Sequence, residues 1–245
     1  MRKALILGAT SAIAQETAKL LAAEGGSLFL VGRDSAKLES VAQDLRVRGA
    51  RRVVTLTCDL NAIDQHDLIL KRSTDVLEGL NTVLISYGTL SNQELCENSV
   101  IAALDQLKTN FLSVVSLLTL IGNRFEEQRN GCIAVISSVA GDRGRQSNYV
   151  YGAAKGALTV FLSGLRNRLV KAGVTVITIK PGFVDSPMTA SFRKGFLWVS
   201  PAVVGRGVYR AIVSRKDVVY LPWYWRYIMM AVVLIPERMF KRLSL

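Results

Sequence analysis

Short apolar runs alternate with amphipathic segments along the whole chain, and this alternation most constrains the fold. The runs are nearly continuous in Val, Ile and Leu, as expected for strands covered on both faces. They predict strands at 4–7, 28–31, 53–57, 82–85, 132–137, 174–179 and 218–221. The intervening segments predict helices at 12–23, 36–48, 66–77, 99–127, 149–171 and 201–214. Strand–helix alternation of this kind predicts a single doubly wound α/β domain, Rossmann-like, with a parallel sheet and helices on both faces.

The 245 residues suit one such domain. We expect it to span residues 1–221, followed by a C-terminal amphipathic extension over 222–245. Three scattered cysteines and a single histidine form no CxxC pair or Cys/His cluster, so neither a disulfide framework nor a metal site is expected. The opening residues lack the features of a secretory signal, and we expect a cytoplasmic protein.

The net charge of +12 is concentrated near the C-terminus. From Ser191 onward, ten basic residues face two acidic ones, a net of +8. This skew indicates an anionic partner: a membrane surface, a phosphorylated substrate or nucleic acid. Nucleic acid is disfavoured, because the cations are interleaved with a long aliphatic run and no recognition motif is present.

A dinucleotide site is predicted where the first strand meets the first helix. Gly8 permits a tight turn, and Thr10 and Ser11 are good helix N-caps. The first amides of the helix, at Ala12 and Ile13, would then face a pyrophosphate. An ordinary strand-to-helix turn is the alternative interpretation.

The second strand ends at Gly32 and Arg33, where an NAD site usually carries an acidic residue. A guanidinium at this place would pair with a 2′-phosphate, so NADP is predicted in preference to NAD. A solvated surface arginine is the alternative. Asp59, at the end of the third strand, is placed to meet the adenine edge, to cap a helix, or to do both.

Four polar residues form a candidate catalytic group. Tyr151 and Lys155 are four positions apart on one helical face, which would bring an ammonium close to a phenol. A nearby cation, helped by a positive nicotinamide ring, is expected to lower the phenol pKa. Ser138 follows a strand and would hydrogen-bond a substrate oxygen. Asn110, polar within an apolar helix, would hold a water that passes the proton onward. Each residue taken alone has an ordinary structural interpretation.

These residues together resemble the short-chain dehydrogenase/reductase family over essentially the whole chain. The matching motifs are the turn at Gly8, Cys58-Asp59-Leu60, Asn110, Ser138, Tyr151-Gly-Ala-Ala-Lys155 and Lys180-Pro-Gly-Phe-Val-Asp-Ser186. The resemblance implies an Asn–Ser–Tyr–Lys tetrad and hydride transfer at the nicotinamide. It also implies that Leu60, Gly88, Tyr151 and Lys155 contact the cofactor, that Pro181, Gly182 and Val184 line the nicotinamide, and that Ser186 binds its carboxamide or the phosphates.

The chain departs from the family pattern at two places. Ala12 and Ala14 stand where the family has glycine, so a methyl group must be accommodated close to the dinucleotide. Ile85-Ser86-Tyr87-Gly88 replaces the family's Asn-Asn-Ala-Gly run after the fourth strand, and the bulky Tyr87 is expected to reach the cofactor or the substrate mouth.

The extension 222–245 combines Trp and Tyr with an apolar run too short to span a bilayer and with flanking cations. We expect a helix in the membrane surface; packing on the protein or in a subunit interface is the alternative. With this tail, and with Tyr87-Gly88-Thr89-Leu90 and Gly8–Ala14, the chain is similar to reductases of polyprenyl-phosphoryl keto-pentoses, such as the decaprenylphosphoryl-2-keto-erythropentose reductases.

The sequence therefore predicts an NADP-preferring enzyme that reduces a carbonyl, with Tyr151 as the acid/base and a lipid-linked keto-sugar as the expected substrate. Reduction of a soluble ketone, a steroid or an acyl-carrier ketone is an alternative. A non-catalytic NADP-binding sensor or scaffold is another. The family resemblance also implies a homodimer or homotetramer, built through the two long helices.

Overall fold

The computed structural model describes residues 1–90 and 92–243, and within them seven strands form one parallel sheet. The strands are β1 (Lys3–Leu7), β2 (Ser27–Gly32), β3 (Arg52–Thr57), β4 (Thr82–Ile85), β5 (Gly131–Ile136), β6 (Val174–Pro181) and β7 (Val218–Leu221). Their order across the sheet is β3-β2-β1-β4-β5-β6-β7. Each predicted strand is confirmed to within two residues at either end.

Helices cover both faces of this sheet, which confirms the doubly wound architecture. They are α1 (Ala12–Ala23), α2 (Ser35–Val47), α3 (His66–Leu77), α4 (Gln93–Asn98), α5 (Val100–Leu107), α6 (Ser113–Glu127), α7 (Tyr149–Leu169), α8 (Pro201–Val213), α9 (Trp225–Leu234) and α10 (Glu237–Phe240). One apolar core lies between the sheet and α1, α2 and α8. The other lies between the sheet and α3, α6 and α7.

The strand order reverses between β1 and β4, which are neighbours in the sheet although two strands separate them in sequence. The chain runs outward from β1 to β3 and then crosses back to β4. At such a switch point the connections leave in opposite directions and open a crevice at the carboxyl ends of the strands. The fold thus fixes where a ligand site must lie.

The prediction of one continuous helix over 99–127 was wrong in detail. Ser99 is an N-cap whose Oγ accepts a hydrogen bond from the Ala102 amide, at 3.2 Å. A π-helical turn, Lys108–Leu112, then separates α5 from α6. Such turns insert one residue into the hydrogen-bond ladder and are frequent at functional sites. The buried Asn110 lies inside this turn.

The helical stretch Val100–Glu127 is long and apolar enough to cross a membrane by length and composition alone. In the fold, however, α6 lies on the sheet and buries Leu117, Leu118 and Ile121 completely or nearly so. We therefore interpret α6 as a core helix. The exposed apolar residues of the stretch precede it: Val100, Ile101, Leu104 and Leu112.

The C-terminal extension contacts the rest of the chain through one face of α9. Trp225 and Met229 are buried there beside Val139. The Arg143 guanidinium donates to the carbonyl oxygens of Val232 (2.7 Å) and Ile235 (2.6 Å), at the end of that helix. Residues 244 and 245 of the predicted extension lie outside the described residues.

Candidate active site

A cavity of about 1100 Å³ opens at the carboxyl ends of the strands. Every site residue predicted from the sequence lines it: Gly8, Thr10, Ser11, Ala12, Ile13, Arg33, Asp59, Leu60, Gly88, Asn110, Ser138, Tyr151, Lys155, Pro181, Gly182, Val184 and Ser186. Residues far apart in sequence are therefore brought to one place by the parallel topology.

The turn after β1 has the geometry of an anion site. Gly8 adopts a φ of +81°, and a Cβ there would lie 2.7 Å from Tyr87 Cβ, so only glycine fits. Ser11 caps α1, its Oγ accepting from the Ala14 amide at 3.2 Å. The amides of Ala12 and Ile13 open the helix and have no carbonyl partner within it. Backbone donors at a helix start suit a pyrophosphate, and a dinucleotide fits this end of the cavity.

The two departures from the family pattern are accommodated differently. The methyl group of Ala14 is fully buried in the core beside α1, away from the cavity. Tyr87 lines the cavity with part of its side chain, but its phenol oxygen lies 2.6 Å from Ser113 Oγ. Burial raises the pKa of that phenol. Of the two expectations for Tyr87, the reach to the substrate mouth is not met, because its hydroxyl is hydrogen-bonded to Ser113. Contact with the cofactor stays a prediction, since the side chain lines the cavity.

Arg33 is exposed at the cavity rim and has no hydrogen-bond or ion-pair partner in the described parts of the chain. The neighbouring acidic residue, Asp34, is engaged as the N-cap of α2 and accepts from the Lys37 amide at 3.0 Å. Asp59 Oδ1 accepts from the Asn61 amide at 3.0 Å while the residue also lines the cavity. Asp59 thus stabilises the turn that follows β3 and also lies in the wall of the cavity.

Three side chains converge at the other end of the cavity. Ser138 lies just beyond β5, and its Oγ accepts from the Ala140 amide at 3.1 Å. Tyr151 and Lys155 are one turn apart on α7, with Lys155 Nζ 5.8 Å from the centre of the tyrosine ring. The ammonium donates to the carbonyl oxygen of Ile136 at 3.1 Å.

The phenol pKa differs from the sequence-based expectation. Burial raises the pKa of Tyr151 to about 12, and a contact with the Ser138 hydroxyl opposes this only in part. Burial also lowers the pKa of Lys155 to about 8. The predicted lowering by Lys155 is therefore wrong for the protein alone: both groups are desolvated, and desolvation disfavours phenolate and ammonium alike.

Asn110 has a different role from the predicted water ligand. Its Nδ2 donates to the Thr89 carbonyl (3.0 Å) and to Gln106 Oε1 (3.0 Å), and its Oδ1 accepts from the Thr89 amide (3.1 Å). Both amide hydrogens are thereby used. The side chain fixes the Gly88–Thr89 backbone at the cavity wall, and only glycine fits at 88, since a Cβ would lie 2.5 Å from Asn110 Oδ1.

The wall formed by the end of β6 depends on the C-terminal extension. A Cβ on Gly182 would lie 1.9 Å from Trp225 Nε1, so the indole of α9 packs directly on this backbone. Phe183 contacts the same indole edge-on, at 4.8 Å between ring centres. Ser186 begins a short 3-10 turn in which its amide donates to Thr189 Oγ1 at 3.1 Å.

Arg145 and Asn148 are among the polar residues of the cavity that the sequence analysis missed. Both lie in the irregular segment between Ser138 and Tyr151, which has no periodicity to interpret. The one signal in the sequence was position, because Arg145 is a basic residue that lies between Ser138 and Tyr151 along the chain.

The arrangement as a whole has an anion-binding turn at one end of the cavity. At the other end it has a phenol, a hydroxyl and an ammonium. Such a site can hold a dinucleotide across the switch point and exchange a proton with a substrate oxygen beside it. Within the described residues, no group of three or more His, Cys, Asp or Glu side chains could hold a metal ion.

Known proteins show the same architecture. The family model described as short chain dehydrogenase matches residues 2–196. An uncharacterised oxidoreductase of Mycobacterium tuberculosis is 34% identical over 239 residues, covering 98% of this chain and 96% of the relative. One from Streptomyces coelicolor is 32% identical over 243 residues, covering 99% and 96%. The crystal structure of a variant actinorhodin polyketide ketoreductase with NADPH superposes with a TM-score of 0.81 at 22% identity, covering 91% of this chain and 96% of that one.

Proposed function

Since the chain belongs to the short-chain dehydrogenase/reductase family and is an NAD(P)-dependent oxidoreductase, we propose that it is an NADPH-preferring carbonyl reductase using Tyr151 as proton donor. The observation that carries the proposal is the convergence of Ser138, Tyr151 and Lys155 at one end of a cavity whose other end is the Gly8 turn. A protein that only bound the dinucleotide would not need this group, which disfavours a sensor or scaffold.

The phenol of Tyr151 is the proton source in this proposal. With its pKa raised to about 12, it is protonated throughout the neutral range, as a donor to a carbonyl oxygen must be. The Ser138 hydroxyl orients that oxygen. Lys155 stabilises the phenolate left behind, and Asn110 positions the Gly88–Thr89 wall. When bound, the nicotinamide supplies or accepts the hydride.

We assign cofactor choice to Arg33, whose guanidinium lies at the cavity rim and has no partner among residues 1–90 and 92–243. Replacing it with alanine is expected to raise the KM for NADPH about tenfold while changing that for NADH little, because only NADPH carries the 2′-phosphate. The solved ketoreductase with NADPH supports the same preference by analogy. Equal changes for both cofactors would assign Arg33 to the surface instead.

The substrate proposed is a lipid-linked keto-sugar reached at a membrane surface, with reduction of a soluble or acyl-carrier ketone as the second candidate. Support comes from an apolar patch that we call the rim patch: Phe192, Phe196, Trp223, Tyr227, Met230 and Leu234, all at least half exposed. Tyr224 Oη donates to the Leu197 carbonyl, which joins the two halves of this patch. Basic residues Arg226, Arg238, Lys241 and Arg242 accompany it. Aromatic and cationic side chains together suit an anionic lipid surface.

In this proposal, the catalytic domain of 1–221 is cytoplasmic and 222–245 holds it on the inner face of the membrane. Family members assemble through long helices, and here α5 and α7 expose Val100, Ile101 and Val160 to about three quarters of their surface. We extend the proposal to a homodimer or homotetramer through these helices, which light scattering would test.

The central experiment compares the wild type with Tyr151→Phe. We expect turnover of a ketone by NADPH to fall by about a thousandfold, while cofactor binding, followed by fluorescence, stays within twofold, since the hydroxyl is needed only for proton transfer. Retained turnover in this variant would refute the catalytic assignment.

Membrane contact is tested by sedimentation with phosphatidylglycerol vesicles. The double variant Met230→Glu/Leu234→Glu is expected to remain in the supernatant, whereas Val47→Glu, at a more exposed site on α2, should pellet like the wild type. Equal pelleting of all three proteins would contradict the membrane proposal.

A further inference from the structure

Arg145 is a half-buried cation without a counterion. It lines the cavity from the segment that joins Ser138 to Tyr151. Its Nε is completely shielded and has no hydrogen-bond partner, and within residues 1–90 and 92–243 its guanidinium makes no ion pair. Burial lowers the pKa of Arg145, and attraction by Asp142 offsets this only in part. A partly buried cation without an ion pair lowers the stability of the fold, so we explain its presence by an anionic ligand that pairs with it.

Asp142 is the acidic residue that acts on Arg145, but its carboxylate is bound to other side chains. One carboxylate oxygen of Asp142 accepts from Lys180 Nζ at 2.5 Å, and the other accepts from Tyr220 Oη at 2.9 Å. Lys180 is itself nearly buried and neutralises this carboxylate. Asp142 therefore does not serve as the counterion of Arg145.

A second unpaired group lies three residues further along. Asn148 also lines the cavity, and its buried Oδ1 has no hydrogen-bond partner in the part of the chain that the structure describes. It begins α7 without capping it. The segment thus presents one unsatisfied cationic donor and one unsatisfied acceptor, six and three residues before Tyr151. An acceptor of this kind is completed by a hydroxyl group.

From these contacts we infer that Arg145 is a specificity-determining residue that binds an anionic group, phosphate or carboxylate, of a hydroxyl-bearing carbonyl substrate. The inference rests on the proposed function, because it takes Tyr151 as the reacting end of the cavity. The anion belongs to the substrate, since the cofactor phosphates have their own donors at the opposite end, in the Gly8 turn and at Arg33. Asn148 accepts a hydroxyl of the same molecule.

The test measures binding by titration calorimetry to protein saturated with NADP⁺. The probes are ribulose 5-phosphate, 5-ketogluconate and the neutral ketose fructose. We expect the wild type to bind at least one anion more tightly than fructose, and Arg145→Met to lose about ten- to a hundredfold of that affinity, as for a charge-assisted hydrogen bond. Fructose binding should change less than threefold. If the affinity for ribulose 5-phosphate falls more, the group recognised is a phosphate; if the affinity for 5-ketogluconate falls more, it is a carboxylate.

Two control variants distinguish the loss of charge at Arg145 from the loss of a positive charge elsewhere on the protein. Arg210→Met removes the same charge from an exposed position of α8 outside the cavity and is expected to leave all three affinities unchanged. Arg145→Lys should retain part of the preference. The melting temperature of Arg145→Met is expected to equal or exceed that of the wild type, because an unpaired buried charge is removed.

The inference is overturned if neither anion binds the wild type more tightly than fructose, or if Arg145→Met weakens all three probes equally. Because these readouts involve no turnover, they are independent of the Tyr151→Phe result. An anion preference that is absent from the wild type, or that persists in Arg145→Met, would reject the role of Arg145, and turnover that still depends on Tyr151 would leave the reductase proposal intact.

Discussion

The ammonium of Lys155 lies 5.8 Å from the centre of the Tyr151 ring and is held by the carbonyl oxygen of Ile136. The lysine is thus near enough to act on a phenolate but is anchored to the end of β5. Because both side chains are buried, the pKa values of the two groups move apart: that of the phenol rises to about 12 and that of the ammonium falls to about 8.

The first prediction concerns the pH dependence of reduction. Tyr151 remains protonated far above neutrality, so the group that changes first on the alkaline side is Lys155. The kcat/KM for ketone reduction is expected to fall as the pH rises through about 8, with the slope of a single proton. Lys155→Met should have a low rate without this break. A wild-type profile that stays level to about pH 10 would contradict the assignment.

The second prediction concerns Gly88 and Asn110. Gly88→Ala places a Cβ 2.5 Å from Asn110 Oδ1, so either the wall segment or the amide must shift. We expect kcat/KM to fall about a hundredfold, as for a misplacement of roughly 1 Å within an active site. Gly164→Ala on α7 is the matched control, since its Cβ has no atom within 4 Å. It should keep full activity and gain up to about 1 kcal/mol of unfolding free energy. Equal activity of the two variants would refute the steric argument.

Much of this site could be predicted from the sequence, because its residues follow strand ends. Gly8, Arg33 and Ser138 are at or just beyond the carboxyl ends of β1, β2 and β5, and in a parallel sheet those ends share one edge. The residue pattern therefore located the cavity. It also located the strands, whose apolar runs reflect burial on both faces.

Other features depend on contacts that local patterns do not contain. The π-helical turn around Asn110 accompanies hydrogen bonds to Thr89, twenty-one residues away. The raised pKa of Tyr151 results from burial by the assembled fold, whereas i, i+4 spacing reveals only the neighbouring charge. Arg145 lies in a segment without periodicity, so its burial could not be read from the sequence.

The third prediction concerns the ion pair behind the active site. Asp142 and Lys180 have side chains 8% and 9% exposed, and Tyr220 donates to the same carboxylate. Asp142→Leu leaves a buried ammonium unpaired and is expected to lower the unfolding free energy by about 3 kcal/mol. The double variant Asp142→Leu/Lys180→Met should recover most of this loss, because no uncompensated charge remains. Urea denaturation measures both values, and a single-variant loss below about 1 kcal/mol would mean that the pair is effectively solvated.

The fourth prediction concerns acid stability and involves His66, which is fully buried. Its Nε2 lies 2.9 Å from the Leu60 carbonyl oxygen and its Nδ1 lies 2.9 Å from Ser116 Oγ. A carbonyl only accepts, so Nε2 carries the hydrogen and Nδ1 accepts from the serine hydroxyl. The ring is thus neutral in the folded protein, and burial lowers its pKa below 6.5.

For a base whose pKa is lower in the folded state, the unfolded chain binds the additional proton first. Unfolding free energy is therefore complete above pH 6.5 and declines as the pH falls from there toward the folded-state pKa of His66. Urea denaturation between about pH 7.5 and about pH 5 should show this decline in the wild type and a smaller one in His66→Gln. Asp34 and Asp44, whose pKa values are lowered below 3.8, contribute only in stronger acid and do not mask the effect. Parallel stability profiles for the two proteins would show that His66 is not the acid-sensitive group.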